Sequence, residues 1–301
     1  MQQIATNKPV VLVTGAGGQL GQCLQALITQ TPGLPYQFIF MGSSQFNLTC
    51  PEQAETIMRQ LMPYAVINCA AYTQVDNAEK EPEAAYFTNA TGVAYLAREC
   101  AHCNALLLHI STDFVFDGCA NIPYSESHPA NPKGIYARSK LDGEHLALRF
   151  NPHTLIIRTS WLYSPYGKNF VKTMLRLGLE RTELRVVYDQ TGSPTYAPDL
   201  AIALVHILGF REQIRHGNIY HYANTGIASW YDLAVETLSI SGIACTVVPI
   251  QTQEYPTPAQ RPHYSVLNTK KIRSDFNLFI PYWRHSLQNC LAHLQNNGET
   301  S

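Results

Sequence analysis

Short runs of apolar residues recur along the first half of the chain. Val10-Val11-Leu12-Val13 is the first and reads as a buried strand. Residues 38–40, 65–68 and 105–110 repeat the pattern, and 155–157 and 184–187 are expected to continue the same sheet. Between them the apolar positions take helical spacing, over about 20–28, over 51–62 with Thr49 as the cap, and over 84–100 as one longer helix. Strands alternating with helices predict an α/β fold, a doubly wound parallel sheet covered on both faces. After about Trp161 the alternation weakens, and Gly, Pro, Tyr and Trp become frequent. This divides the chain into a sheet domain over 1–160, completed by parts of 184–222, and a smaller portion over 161–301 centred on 225–281. The tail from Gln295 is polar and is expected to fray.

Composition narrows the partners. A formal charge of -1 over 301 residues gives no broad attraction to nucleic acid or to a membrane surface. An anionic small molecule needs only a local cluster of donors. Residues 1–9 lack the charged start and apolar run of a signal peptide, and no apolar stretch is long enough to span a bilayer. The eight cysteines are scattered among apolar neighbours; Cys100 and Cys103 have no second pair at zinc spacing. Reduced thiols, no bound metal and a cytoplasmic enzyme are the expectation.

Chemistry enters at Thr14-Gly15-Ala16-Gly17-Gly18-Gln19-Leu20-Gly21, between the first strand and the first helix. Glycines let the backbone turn tightly and approach a pyrophosphate, and the helix start offers unpaired N–H groups at the positive end of its dipole. Gly15, Gly17, Gly18, Gln19 and Leu20 are therefore candidate cofactor contacts, and the sheet is expected to be of the Rossmann type, binding NAD(P). The second strand is followed by Met41-Gly42-Ser43-Ser44. No carboxylate there repels a 2′-phosphate and no Arg pairs with one, so NADPH is favoured weakly over NADH, with Ser43 as a candidate contact.

Tyr136-Ala137-Arg138-Ser139-Lys140 puts a phenol and an ammonium on one helical face, with Pro132 near the helix start. Delivering hydride to a ketone creates an alkoxide that needs a proton. A free phenol, with a pKa of about 10, holds its proton firmly, and a neighbouring ammonium should lower that value. Ser111-Thr112 directly follows the strand ending at Ile110, at the carboxyl edge where parallel sheets bind ligands. Thr112 is placed to hydrogen-bond the reacting carbonyl and steer it to Tyr136. Thr112, Tyr136 and Lys140 form the expected catalytic set, and Tyr136 and Lys140 are also candidate cofactor contacts, Lys140 through the nicotinamide ribose hydroxyls.

With these words in view, the chain resembles the dTDP-4-dehydrorhamnose reductase family, part of the extended short-chain dehydrogenase/reductase superfamily. The matching words run almost end to end: Thr14–Gly21, 68–76, 111–118, Tyr136 to Glu144, 158–161, Asn169-Phe170, 189–195, 229–231 and Arg261-Pro262. The resemblance implies NAD(P)H-dependent reduction of the 4-keto group of dTDP-4-dehydro-L-rhamnose, the last step towards dTDP-L-rhamnose. It implies that Ala70, Ala71 and Tyr72 line the cofactor. It gives Val75, Thr112, Asp113, Phe114 and Trp161 to the sugar, and Asn169, Gln190 and Arg261 to the nucleotide diphosphate. Asn89 would support the site through buried hydrogen bonds.

Two departures matter. Phe114 stands where the family commonly has Tyr, so a phenolic contact to sugar is lost. In Asn47-Leu48-Thr49 the family often has Asp; Asn47 can still bond adenine, without the charge, and Leu48 beside it is a further candidate cofactor contact. Some relatives dimerise around magnesium through acids, but Gln22 and Cys23 stand where an acid is needed, so no metal is expected and a homodimer stays open. A nucleotide-sugar epimerase or dehydratase shares the fold and the Tyr/Lys pair; Phe114 after Asp113 counts against dehydration. A relative of another class, a non-catalytic NADP-binding regulatory subunit, is the second alternative.

Overall fold

The structure, a computed structural model, describes residues 8–296; residues 1–7 and most of the polar tail lie outside it. Its centre is a six-stranded parallel sheet. From one edge the order is Asn218–His221, then β5 (Thr154–Thr159), β4 (Leu106–Thr112), β3 (Ala65–Asn68), β1 (Val10–Thr14) and β2 (Gln37–Met41). The strands are apolar on both sides because both faces are covered. Val11, Val13, Ile67, Leu108 and Ile157 point into one core, while Leu12, Val66, Leu107 and Ile156 point into the other. That is the period-two alternation of a strand, expressed as two buried faces.

The chain leaves β1 for β2 on one side and returns to β3 on the other. A crevice opens where the order reverses, at the carboxyl ends of β1 and β3. Helix α1 (Gln19–Gln30) and the helix Ala197–Leu208 cover one face, and Gly92–His102 with Ile135–Phe150 cover the other. A second lobe is built around Trp283–Asn296, Phe170–Glu180 and Trp230–Ile240.

Four expectations need correction. Residues 184–187 do not join the central sheet; Glu183–Val187 pairs only with Thr246–Ile250, as a two-stranded parallel sheet in the second lobe. The sixth central strand is Asn218–His221, whose four residues carry too weak an apolar run to stand out. Residues 84–100 are not one α-helix. Pro82–Tyr86 passes into a π-helical turn, Phe87–Thr91, before Gly92–His102. Thr49 does not cap the next helix; Cys50 is its N-cap residue, and the Thr49 hydroxyl donates to Asn47 Oδ1 at 2.8 Å instead. The segment 225–281 also serves the sheet, since Ile272, Phe276 and Ile280 are buried in its core. Among the described residues no helix is long and apolar enough to cross a membrane, and no three His, Cys, Asp or Glu side chains gather as metal ligands.

Candidate active site

The glycine loop leaves β1 in a conformation that only glycine adopts readily. Gly15 has φ +69, and a Cβ there would lie 2.6 Å from the Ala70 nitrogen. Gly21 lets α1 press on the loop, since a Cβ would lie 2.5 Å from the Gly15 carbonyl oxygen. Gln22 and Gln25 brace the loop by donating to the Gly17 and Ala16 carbonyls. At Gly18, where α1 begins, no side chain caps the helix and no acid sits in the first turn. The N–H groups and positive dipole end at this start are left for a ligand. Leu20 is buried in the core beneath them. The Gln19 side chain turns the other way: its Oε1 accepts from Ser164 Oγ at 2.9 Å and Asn169 Nδ2 at 3.0 Å, so it ties the loop to the second lobe.

The other expected cofactor contacts are spread around this crevice. Ser43 and Asn47 are exposed beyond β2. Asn47 Oδ1 already accepts from the Thr49 N–H and hydroxyl, and the Leu48 side chain is buried in the core beneath Gly92. Ala70, Ala71 and Tyr72 follow β3 at the crevice. Asn89 holds that segment as expected. Its Oδ1 accepts from the Tyr72 N–H at 2.9 Å, and its Nδ2 donates to the Tyr72 carbonyl and to Ser139 Oγ. The π-helical turn places Asn89 for this double contact, bracing the cofactor edge against the helix that carries Tyr136 and Lys140.

That helix, Ile135–Phe150, starts after Gly134 (φ +83), where the chain turns sharply, and Pro132 lies outside it. Tyr136 comes beside Thr112 at the end of β4, and its ring meets Phe114 edge-on at 5.9 Å. Burial pushes the phenol up to about 12; the Thr112 hydroxyl opposes the shift and Asp113 adds to it. The expected lowering by Lys140 is therefore not found. Lys140 is itself buried, with Nζ donating to the Ile110 carbonyl at 2.7 Å and lying 3.4 Å from His109 Nε2. Burial brings its pKa down to about 8, against the pull of Glu144.

Asp113 is almost fully buried, and burial pushes its carboxyl up to about 7. Its Oδ1 accepts from Thr112 Oγ1 at 3.1 Å; Ser265 lies beside it, yet neither the Ser265 hydroxyl nor Asp113 Oδ2 completes a hydrogen bond. Beneath Ser111 sits an ion pair that the sequence did not announce. Arg158 Nη2 meets Glu144 Oε2 at 2.6 Å, Arg158 Nε meets Oε1 at 2.9 Å, and Ser111 Oγ donates to Oε1 at 2.5 Å.

Of the residues expected at the substrate, Val75 opens a short helical turn next to Asp76, and Arg261 reaches Asp76 Oδ2 at 2.7 Å from the far side. Arg261 Nη1 is buried without a hydrogen-bond partner among the described residues. A cavity of about 50 Å³ lies there, lined by Phe114, Phe116, Lys133, Arg261 and His263 among others. Trp161, at φ +49, stacks on Trp230 at 3.6 Å with its edge against Gly192. Gln190 uses both ends of its amide, accepting from Trp230 Nε1 and donating to Thr252. Asn169 caps the helix Phe170–Glu180 and holds Gln19. Gln190 is thus brought to the Trp161–Trp230 stack and Asn169 to the glycine loop; neither meets Arg261. A hint of the missed residues existed in the sequence: Asn68, His109 and Arg158 are polar residues inside apolar strands, which fold only if each finds partners.

Known proteins resemble the chain over nearly its full length. The family described as RmlD substrate binding domain matches residues 9–296. A dTDP-4-dehydrorhamnose reductase of Aggregatibacter actinomycetemcomitans is 39% identical over 95% of this chain and 99% of its own length. The spore coat polysaccharide biosynthesis protein SpsK of Bacillus subtilis is 40% identical over 93% of this chain and 96% of its own. Among solved structures, a dTDP-4-dehydrorhamnose reductase of Bacillus anthracis in complex with NADP superposes with a TM-score of 0.90 at 37% identity, covering 95% of this chain and 99% of that one.

Proposed function

The chain belongs to the dTDP-4-dehydrorhamnose reductase family, and from that membership we propose that it reduces the 4-keto group of dTDP-4-dehydro-L-rhamnose with NADPH, giving dTDP-L-rhamnose. The observation that carries the reading is Tyr136 beside Thr112 at the carboxyl end of β4, on the same sheet edge as the glycine loop and two strands from β1.

The crevice fits a dinucleotide: Gly15 and Gly21 let the loop fold tightly against Ala70 and α1, the Cβ direction of Gly17 meets nothing within 4 Å, and the first turn of α1 carries no acid to repel a phosphate. Bound NADPH supplies the hydride. Tyr136 gives its phenolic proton to the alkoxide oxygen. Thr112 turns its hydroxyl hydrogen from Asp113 to the carbonyl oxygen and fixes it against the phenol. Lys140, when charged, stabilises the phenolate left behind and offers its remaining hydrogens to hydroxyls in the crevice. Asn89 holds the Ala70–Tyr72 edge in place. Val75, Asp113, Phe114 and Trp161 surround the sugar. Arg261 Nη1 is free for a phosphate, which a planar guanidinium suits. Asn169 and Gln190 serve by holding Gln19 and the Trp161–Trp230 stack.

The test is NADPH and NADH oxidation on adding the dTDP-linked 4-keto-6-deoxy-L-sugar. Tyr136→Phe should lower kcat by roughly 10²- to 10⁴-fold, the usual contribution of a positioned general acid, with NADPH affinity unchanged. Wild-type turnover in that variant refutes the proton-donor role. Protein that retains tightly bound NAD and oxidises no NADPH supports an epimerase instead.

A further inference from the structure

A row of fully buried polar side chains runs beneath the crevice, from β1 across β3 and β4 to Lys140. Thr14 Oγ1 donates to Asn68 Oδ1 at 2.7 Å, and the Ala70 N–H donates to the same oxygen at 3.1 Å. Asn68 Nδ2 lies 2.9 Å from His109 Nδ1, and His109 Nε2 lies 3.4 Å from Lys140 Nζ. Thr14, Asn68 and His109 are each 0% exposed and Lys140 2%.

The direction of these bonds follows from one donor that has no choice. A backbone N–H can only donate, so the atom of Asn68 facing Ala70 is the oxygen and the atom facing His109 is the NH₂. His109 Nδ1 must then accept, and the ring's single proton sits on Nε2, pointing at Lys140. An imidazolium would set two donors against each other at Asn68.

We propose that His109 is a positioning residue for Lys140: fixed by Asn68 in the Nε2-protonated tautomer, it presents an N–H to the lysine nitrogen and so favours the neutral amine over the ammonium. As an amine, Lys140 accepts from His109 and donates to Ile110. As an ammonium, it keeps Ile110 but faces a donor at His109. The other groups around it do not cancel this. Glu144, one turn along the same helix, favours the charged lysine but shares its charge with Arg158 from β5. Tyr136 lies one turn earlier, Asp113 acts on Tyr136, and Asn68, Thr14 and Asn89 are uncharged. Burial lowers both His109 and Lys140, each in the direction that keeps the pair neutral. The consequence is a Lys140 ammonium that holds its proton weakly, while solvent supplies the proton that restores Tyr136 after each reduction. This rests on the proposed roles of Tyr136 and Lys140.

The test needs no sugar substrate at first. ¹⁵N NMR of the wild-type protein should show His109 neutral and protonated on Nε2 from about pH 6 to 9. A charged ring, or a proton on Nδ1, overturns the proposal without any variant. NADPH affinity, read by fluorescence titration against pH, should fall as Lys140 loses its proton, with a midpoint near 8. His109→Asn keeps an acceptor for Asn68 and leaves nothing facing Lys140, so the midpoint should rise by about one pH unit, roughly tenfold in proton affinity. His109→Gln can still aim an N–H at Lys140 and should restore the wild-type midpoint. A side chain that only fills space would change the melting temperature and leave the midpoint where it was, and that result overturns the proposal. Normal NADPH titrations with no turnover of the nucleotide sugar would instead refute the reductase reading alone.

Discussion

Glu144→Gln tests the physical claim that the active-site strand end rests on a buried ion pair. Glu144 is 0% exposed and Arg158 3%. The carboxylate accepts from Arg158 Nε and Nη2 and from Ser111 Oγ, the residue before Thr112. The substitution keeps shape but removes the charge and turns one acceptor into a donor facing the guanidinium. Arg158 then stays buried and charged, sharing one amide oxygen with Ser111 in place of a carboxylate, with the Phe116 ring 5.1 Å away. Removing one partner of a buried pair costs about 3–5 kcal/mol, because the remaining charge is uncompensated. At roughly 2–3 °C per kcal/mol for a chain of this size, the melting temperature should fall by about 6–15 °C. Replacing both partners, Glu144→Leu with Arg158→Met, leaves no orphaned charge and should recover most of that loss. Urea unfolding of Glu144→Leu, Arg158→Met and the double variant measures the cycle, with Glu144→Gln measured beside them. A single variant costing under about 1 kcal/mol, or a double variant as unstable as the sum of the singles, refutes the argument. Ser111 loses its acceptor when Glu144 becomes Leu, so kcat should fall in the double variant even where stability returns.

Further outcomes follow from individual groups. The Asp113 carboxyl titrates near 7 in the fold against an ordinary 3.8, so its charged form is disfavoured and its contribution to stability is lost as pH rises from about 4 to 7. Asp113→Asn does not titrate, so its stability relative to wild type should climb over that interval by at most about 4 kcal/mol; a flat difference in urea unfolding contradicts the shift. Lys140 has the opposite charge and a lowered value, so the fold favours its amine and wild-type stability should rise between about pH 8 and 10.5 relative to Lys140→Met, by about 3 kcal/mol. Gly21→Ala drives a methyl to 2.5 Å from a backbone oxygen and should cost about 1–3 kcal/mol and weaken NADPH binding at least tenfold, whereas Gly17→Ala meets nothing within 4 Å and should leave the unfolding midpoint unchanged. Equal midpoints for the two alanine variants would remove the close-packing account of the loop.

Features that depend on neighbours along the chain could be read from residue order alone. Apolar runs gave β1, β3, β4 and β5, because a strand buried on both faces has no polar side to show. The glycine loop and the Tyr136/Lys140 spacing were legible because backbone freedom and helical period are local properties. Tertiary structure decided what depends on residues far apart. Asn218–His221 became the sixth strand and Glu183–Val187 did not, since a four-residue strand is chosen by the edge it can pair with rather than by its own pattern. The protonation of Tyr136, Asp113 and Lys140 was set by burial, which spacing does not report; hence the phenol rose where a lysine four residues away had suggested it would fall. The partners of His109, Glu144 and Gln190 came from other elements, and a buried polar group's role is defined by the group that satisfies it.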